Sequence, residues 1–178
     1  VGSEMCIRDR CDTAVISICR FSAEDWDRKG EPNDGDFYLS LEEQKMVSDA
    51  CSHFDRIVVV LNVGGMVDTS WFACNPKIGA VLLAWQGGME GAMAEADILC
   101  GDVNPSGKLT DTFAASFDDY PSSAGFNESR DHVCYTEDIF VGYRYFETIP
   151  GAAEKVNYPF GFGLSYTTFR LEPVSYTH

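Results

Sequence analysis

The sequence lacks any Cys-x-x-Cys pair, although seven of its 178 residues are cysteine. Because the number of cysteines is odd and their spacing is wide, the pattern indicates neither a disulfide framework nor a zinc site. No apolar run approaches the roughly 20 residues of a membrane span, and no signal peptide is visible. We therefore expect no metal and no membrane segment, and the cysteines favour a cytoplasmic location without settling it.

Basic residues are also scarce: 13 lysines and arginines stand against 28 aspartates and glutamates, which gives a formal charge of −15. Binding a phosphate backbone needs a clustered basic surface, so this balance argues against a nucleic-acid partner. It also disfavours docking to an anionic membrane, whereas a neutral substrate is compatible with it. With 45% hydrophobic residues, the chain has the length and composition of one globular domain with a substantial core.

Several motifs of cofactor and nucleophile chemistry are missing. There is no Walker lysine loop and no G-x-S-x-G elbow, and the three histidines have no obvious serine or cysteine partner. The turn Val63–Met66 follows a strand but lacks the G-x-G-x-x-G spacing, and Asn33–Asp36 is too short for a calcium loop. The sequence therefore predicts no cofactor, and a flavodoxin-like nucleotide binder is kept only as a third hypothesis.

Three apolar, mostly β-branched runs alternate with helix patterns. Continuous runs of this kind are typical of strands covered on both faces of a sheet. Ser40 and Glu43 form a capping-box pattern that begins a helix running to about Phe54. The alternation predicts an α/β fold: a three-layer αβα sandwich with a mostly parallel sheet, in a flavodoxin-like arrangement, followed by an irregular C-terminal segment. The predicted strands are 14–19, 57–61 and 80–85.

The remaining elements are less regular. In the first helix, the apolar spacing predicts an inward face of Val47, Ala50, Cys51 and Phe54. A second helix after the Gln86-Gly87-Gly88 turn is expected to direct Met89, Ala92, Met93 and Ala96 inward. Elsewhere we predict a short helix at 68–73, a strand at 108–113, an irregular strand at 135–146 and an extended connector at 158–169.

Right-handed crossovers bring the loops after parallel strands to one edge of a sheet, where ligands of such folds bind. Three loops meet this condition: 20–28, 62–68 and 85–90. The first of them carries several ionisable side chains and a tryptophan, which are costly to bury unpaired and which packing does not require. This loop is therefore the candidate site.

Glu24 is the candidate proton donor of the first loop. Hydrolysis of a glycoside needs one carboxylic acid that protonates the leaving oxygen and a second carboxylate that attacks or stabilises the anomeric carbon. Neighbouring carboxylates and aromatic rings raise the pKa of such an acid, and Asp25 and Trp26 stand beside Glu24. Trp26 either stacks on a sugar or anchors the loop. The alternative for the whole loop, a solvated acidic turn, stays open.

The charges around Glu24 allow further interpretations. Arg20 and Arg28 either oppose the shift in the pKa of Glu24 or tether the loop. We expect Asp27 and Arg28 to form a salt bridge within the loop. Glu137, in the aromatic stretch near the end of the chain, is a second candidate acid.

Six segments, in this order, together resemble the C-terminal α/β sandwich of family 3 glycoside hydrolases, the β-glucosidase and β-xylosidase group. The resemblance covers about residues 12 to 170. It lies in the ordered set, because each segment alone is a weak signal. The segments are Arg20-x-Ser-Ala-Glu24-x-x-Asp-Arg28, Val58–Gly65, Trp85-Gln-Gly-Gly-Met-Glu90, Asn104-Pro-Ser-Gly-Lys-Leu109, Val141-Gly-Tyr-Arg-Tyr-Phe146 and Tyr158–Tyr166.

The resemblance implies a retaining mechanism shared between two domains. In that family the nucleophilic aspartate lies on a (β/α)8 barrel, which is absent here, and the sandwich supplies the acid/base glutamate. Glu24 takes that role, and Trp26 and Asp25 are the implied substrate-binding residues. The family commonly has Ser-Gly-Glu-Gly at this point, where this chain has Ser22-Ala23-Glu24-Asp25.

The resemblance also implies a division of the chain. Residues 1–10 are expected to be a non-native or disordered leader, 11–157 the sandwich, and 158–178 a connector toward an absent fibronectin-III-like domain. The implied protein is an exo-acting β-glycosidase, most simply a β-glucosidase acting on a β-linked oligosaccharide or glucoside, and the fragment alone is expected to be inactive. The alternative is a non-catalytic carbohydrate-binding or docking module of the same fold.

Overall fold

The computed structural model describes residues 11–24, 28–126 and 128–176. Three strands, β1 (Thr13–Cys19), β2 (Arg56–Asn62) and β3 (Ile78–Leu83), form a parallel sheet in the order β1-β2-β3. β1 and β2 are paired without interruption, whereas the pairing of β2 with β3 shifts register once, between Ile57 and Val58. All three predicted strands are confirmed, and with them the α/β class and its parallel sheet.

Among the described residues, four α-helices accompany the strands: α1 (Leu41–His53), α2 (Ser70–Ala73), α3 (Gly91–Cys100) and α4 (Tyr143–Thr148). The predicted capping box at the start of α1 is present, since the Ser40 hydroxyl accepts from the Glu43 backbone N–H and the Glu43 carboxylate accepts from the Ser40 backbone N–H. Within the described part of the chain, no helix has both the length and the apolar character that a membrane crossing requires.

The main core lies on the face of the sheet that α1 covers. Ile57 and Val59 are fully buried, because alternate residues of a central strand point to the same covered face. Three of the four residues predicted to face inward from α1 contact this cluster: Val47 is buried, and Ala50 and Cys51 are half-buried against it. The fourth, Phe54, is the half-buried C-cap residue. The other buried members of the cluster are Ile16, Ile18, Leu39, Leu61, Val63, Val67, Phe72 and Phe113.

The prediction for α3 was correct for the helix and wrong for its burial. No residue of α3 is buried, and Met89 and Met93 are 102% and 63% exposed. Ala92 and Ala96 are exposed as well. A 3.6-residue period shows which face of a helix is apolar, but only tertiary contact decides whether that face is covered.

The second half of the chain has its own small apolar cluster. Strands β4 (Phe113–Ala114) and β5 (Val156–Tyr158) pair antiparallel, and Ala114, Phe146 and Ala152 are buried beside them. The predicted strand 108–113 is therefore reduced to its last residue. The predicted irregular strand 135–146 was wrong: Gly142 has a φ of 59°, which turns the chain sharply, and helix α4 begins at the next residue.

Candidate functional site

The three loops that follow the parallel strands meet at one edge of the sheet, as predicted. The Gln86 side-chain Nε2 donates a hydrogen bond of 3.2 Å to the Ser22 carbonyl, which joins the loop after β3 to the loop after β1. Gly64, from the loop after β2, lies between them. A Cβ atom on Gly64 would lie 2.7 Å from both Gln86 Nε2 and Ser22 Cβ, closer than real carbon contacts come.

Glu24 lies in a turn at this edge, five residues after the end of β1, and it is exposed. The structure therefore places the candidate acid where the topology predicts a ligand site. The other two predicted site residues, Asp25 and Trp26, lie outside the described residues, and so does Asp27 of the expected salt bridge with Arg28.

Arg20 tethers the start of the Glu24 loop. Its side chain is 5% exposed, and its two terminal nitrogens each donate a 2.7 Å hydrogen bond to the Glu43 carboxylate. Its Nε and Nη1 also donate to the backbone carbonyls of Asp36 and Cys19. Of the two interpretations of Arg20, the tether is the one that its contacts support.

The Glu43 carboxylate binds Arg20 as well as capping α1. Burial raises the pKa of Glu43, but the hydrogen bonds from Arg20 and from the Ser40 backbone N–H, with the Arg20 charge, outweigh burial and lower that pKa below its usual value. Glu43 is therefore ionised at neutral pH, so one carboxylate holds both the helix start and the arginine of the loop.

Arg28 tethers the far end of the loop. Its Nε forms an ion pair with the Asp36 carboxylate, and its Nη2 donates to the Met66 carbonyl at 3.2 Å. The other Asp36 carboxylate oxygen accepts from the Lys29 backbone N–H at 2.7 Å. The connector that follows the loop is thus folded back onto it, and Asp36 is the residue that joins the two.

A cavity of about 400 Å³ opens beside Ala23, the neighbour of Glu24. One wall is polar, with Ser22, Arg28 and Lys29, and another is aromatic. Phe37 and Phe117 are in edge-to-face contact with ring centroids 5.3 Å apart, and Phe117 meets Phe126 in the same way at 5.8 Å. Apolar walls with a few polar groups are typical of sites for small molecules.

Tyr120 completes the aromatic wall. Its hydroxyl accepts a 3.0 Å hydrogen bond from the Ala114 backbone N–H and lies 3.4 Å from the Thr112 carbonyl. Burial raises the pKa of Tyr120 to about 12, so the phenol carries its proton at neutral pH. The cavity wall is therefore an uncharged aromatic surface, compatible with a neutral sugar or aglycone.

Glu137, the second candidate acid, is half-buried in a separate turn and does not line this cavity. No group of three or more metal-ligating side chains occurs among the residues that the structure describes. Among the described residues of the loop, Glu24 is the exposed carboxyl group, and the loop, with an arginine holding each end, lies next to a half-apolar cavity. That combination suits proton transfer to and from a neutral ligand.

Sequence reasoning missed the groups that hold the loop. The sequence showed Gln86 only as part of a turn, Glu43 only as a cap, and Asp36 only as part of a segment too short for a calcium loop. Phe117 and Tyr120 lie between the predicted elements 108–113 and 135–146, where no helix or strand was predicted. A glutamine directly after a buried strand is a usable signal for Gln86, because it stands at the ligand-binding edge, but its partner is not visible in the sequence.

The chain belongs to the glycosyl hydrolase family 3 C-terminal domain family, whose pattern it matches over residues 7–166. It is 58% identical over 181 residues to β-glucosidase A of Butyrivibrio fibrisolvens and 42% identical over 160 residues to a β-glucosidase of Ruminococcus albus. These alignments cover 90% of this chain but only 22% and 16% of the two relatives, so the chain spans about a fifth of their length.

Solved structures agree with this assignment. A β-glucosidase from Paenibacillus barengoltzii superposes with a TM-score of 0.84 at 43% identity, over 91% of this chain and 17% of that one. β-Glucosidase 3B from Thermotoga neapolitana, in complex with glucose, superposes with a TM-score of 0.80 at 40% identity, over 91% of this chain and 23% of that one. The predicted family is thus confirmed.

Proposed function

We propose that this chain is the acid/base half of a retaining, exo-acting β-glucosidase, and that Glu24 is its general acid/base. The observation that carries the proposal is the position of Glu24: it lies at the edge of the sheet where the parallel strands end, next to Ala23 of the cavity wall, in a chain of the family 3 C-terminal type. The β-glucosidase names of the relatives support the reaction class.

The proposed mechanism has two steps. In the first, the Glu24 carboxylic acid gives its proton to the glycosidic oxygen while an aspartate on a separate (β/α)8 barrel attacks the anomeric carbon and the leaving group departs. In the second, the Glu24 carboxylate takes a proton from water, which attacks the glycosyl-enzyme ester and releases the sugar. The two carboxyl groups of a retaining enzyme lie about 5–5.5 Å apart, so the barrel must dock against this edge of the sheet.

In this scheme the cavity and the Glu24 loop contact different parts of the substrate. Its aromatic wall of Phe117, Phe126 and Tyr120 is available to the leaving group, because it adjoins the loop of the acid. We propose that Asp25 and Trp26 contact the substrate from the same loop, and that residues 158–178 connect the sandwich to a fibronectin-III-like domain. The chain alone, without a nucleophile, is then inactive.

The test is a leaving-group comparison in the full-length protein that carries this chain. Glu24→Ala should lower kcat/KM for cellobiose, a poor leaving group, by about 10²–10⁴-fold. It should affect a dinitrophenyl β-glucoside far less at the glycosylation step, because that leaving group needs no proton. Added azide should restore turnover of the dinitrophenyl β-glucoside by Glu24→Ala and yield β-glucosyl azide.

Glu154→Ala is the matched control, since Glu154 is an exposed glutamate on the 3-10 turn before β5. This variant should leave kcat/KM for both substrates unchanged. Equal losses on both substrates for Glu24→Ala, or no loss at all, would reject the assignment. A different result would favour the non-catalytic binding module: the chain binds sugar, Glu24→Gln does not weaken that binding, and the full-length protein hydrolyses no glycoside.

A further inference from the structure

The hydrogen bond from Gln86 to Ser22 joins two residues that are 64 positions apart in sequence. Ser22 precedes Glu24 by two residues, so its carbonyl belongs to the segment of backbone that carries the proposed acid. Gln86 comes three residues after the end of β3, a strand of the parallel sheet. The bond therefore connects the loop that carries Glu24 to the loop that follows β3.

Gly64 makes this contact compact. Its hypothetical Cβ would lie 2.7 Å from the Gln86 amide nitrogen and 2.7 Å from Ser22 Cβ, so only a residue without a side chain leaves room for the two loops to meet. At Gly65 a Cβ would lie 2.8 Å from Arg28 Nη1, the end of a flexible side chain. The two glycines of the β2 loop thus lie against the Glu24 loop on both sides of the acid.

The three tethers divide the loop between them. Arg20 holds its start against Glu43, and Arg28 holds its end against Asp36. Gln86 holds the middle, immediately before the acid. Among these contacts, the Gln86 bond lies closest in sequence to Glu24, and a shift of about 1 Å in a catalytic group is enough to cost a large factor in rate.

We propose that Gln86, which packs against Gly64, is a positioning residue for the acid/base carboxyl of Glu24. This inference rests on the proposed function of Glu24. Gln86 acts through the Ser22 carbonyl and needs no contact with the substrate. Its effect should appear only in steps where Glu24 transfers a proton.

The first experiment uses the full-length protein. Gln86→Met keeps the side-chain length and removes the donor; Gly64→Ala keeps the donor and pushes Ser22 and Gln86 apart. Both should lower kcat for cellobiose by about 10-fold with little change in KM, and both should leave kcat/KM for the dinitrophenyl β-glucoside within about 2-fold of the parent value.

The chain offers a matched control for each variant. Gln44 also donates from Nε2 to a backbone carbonyl, that of Leu39, but at the start of α1. Gly79 lies near the amino end of β3, and a Cβ there would meet no atom within 4 Å. Gln44→Met and Gly79→Ala should therefore leave the ratio of the two activities unchanged.

The second experiment is independent of activity. In the 178-residue chain, Gln86→Met should accelerate amide hydrogen exchange at residues 21–24, whereas Gln44→Met should not. Unchanged exchange at those residues overturns the positioning role, as does an equal loss of activity on both substrates. If Glu24→Ala shows the leaving-group dependence and folded Gln86→Met does not, this inference fails alone. If Glu24→Ala lacks that dependence, the proposed function fails first.

Discussion

The guanidinium of Arg20 and the carboxylate of Glu43 form a two-pronged ion pair, with both nitrogen–oxygen distances at 2.7 Å. The pair joins the first residue after β1 to the first turn of α1, and the Arg20 side chain is almost fully buried. A planar guanidinium matches a carboxylate in this geometry, which a lysine does not. The path of the Glu24 loop therefore depends on Glu43, a residue outside the loop.

We predict that Arg20→Met destabilises the chain by about 2–4 kcal/mol, because it removes the buried Arg20 donors from the Glu43 carboxylate and the Asp36 carbonyl. Urea denaturation of the chain measures the change. Lys45→Met, which breaks the exposed ion pair with Asp49, is the control and should cost less than about 1 kcal/mol. Equal effects of the two variants would show that the buried pair has no special weight.

We predict an acid-sensitive component of stability from Glu43. Because the folded-state pKa of Glu43 is lowered, its contribution is fully present above the unfolded value of about 4.3 and is lost as the pH falls through the folded value. The difference in unfolding free energy between the parent chain and Glu43→Gln should therefore be largest near neutral pH and shrink on acidification. A difference that does not change with pH contradicts this assignment.

We predict that two identical substitutions in the sheet have very different costs. Val59 in β2 is fully buried, whereas Val15 in β1 is 59% exposed. Val59→Ala should cost about 2–3 kcal/mol from lost burial and the cavity that remains, and Val15→Ala less than about 1 kcal/mol. Urea denaturation of the two variants side by side tests whether the covered face of the sheet is the one described.

We predict that Gly163 is needed to hold the segment after Tyr158 in place. Leu109 pairs with this segment through hydrogen bonds of 2.8 Å to Gly161 and Phe162, and a Cβ on Gly163 would collide with the Gly107 backbone carbonyl. Gly163→Ala should therefore release the segment after Tyr158 to limited proteolysis.

Gly107→Ala is the matched control for that experiment, since a Cβ on Gly107 meets no atom within 4 Å. It should leave the cleavage rate unchanged. Equal protection of the segment in Gly163→Ala and Gly107→Ala would show that the close contact can relax without cost.

The sequence by itself determined the three parallel strands, the start of α1 and the place of the candidate site. The strand runs, the Ser40–Glu43 capping box and the order of strands and helices depend on neighbours a few residues apart, so pattern and propensity were sufficient. Because parallel strands connected in this way direct their following loops to one edge, the convergence of the loops near Glu24 could be predicted as well.

Only the tertiary structure decided which distant side chains hold that site. Arg20 binds Glu43, which is 23 positions away, and Gln86 binds Ser22, which is 64 positions away. Such a pairing depends on where the folded backbone places both partners. The exposure of α3 has the same origin, since its apolar period is local but the surface that would cover it is not. Local chemistry placed the carboxyl group at the edge of the sheet, and long-range packing set the contacts that fix its loop.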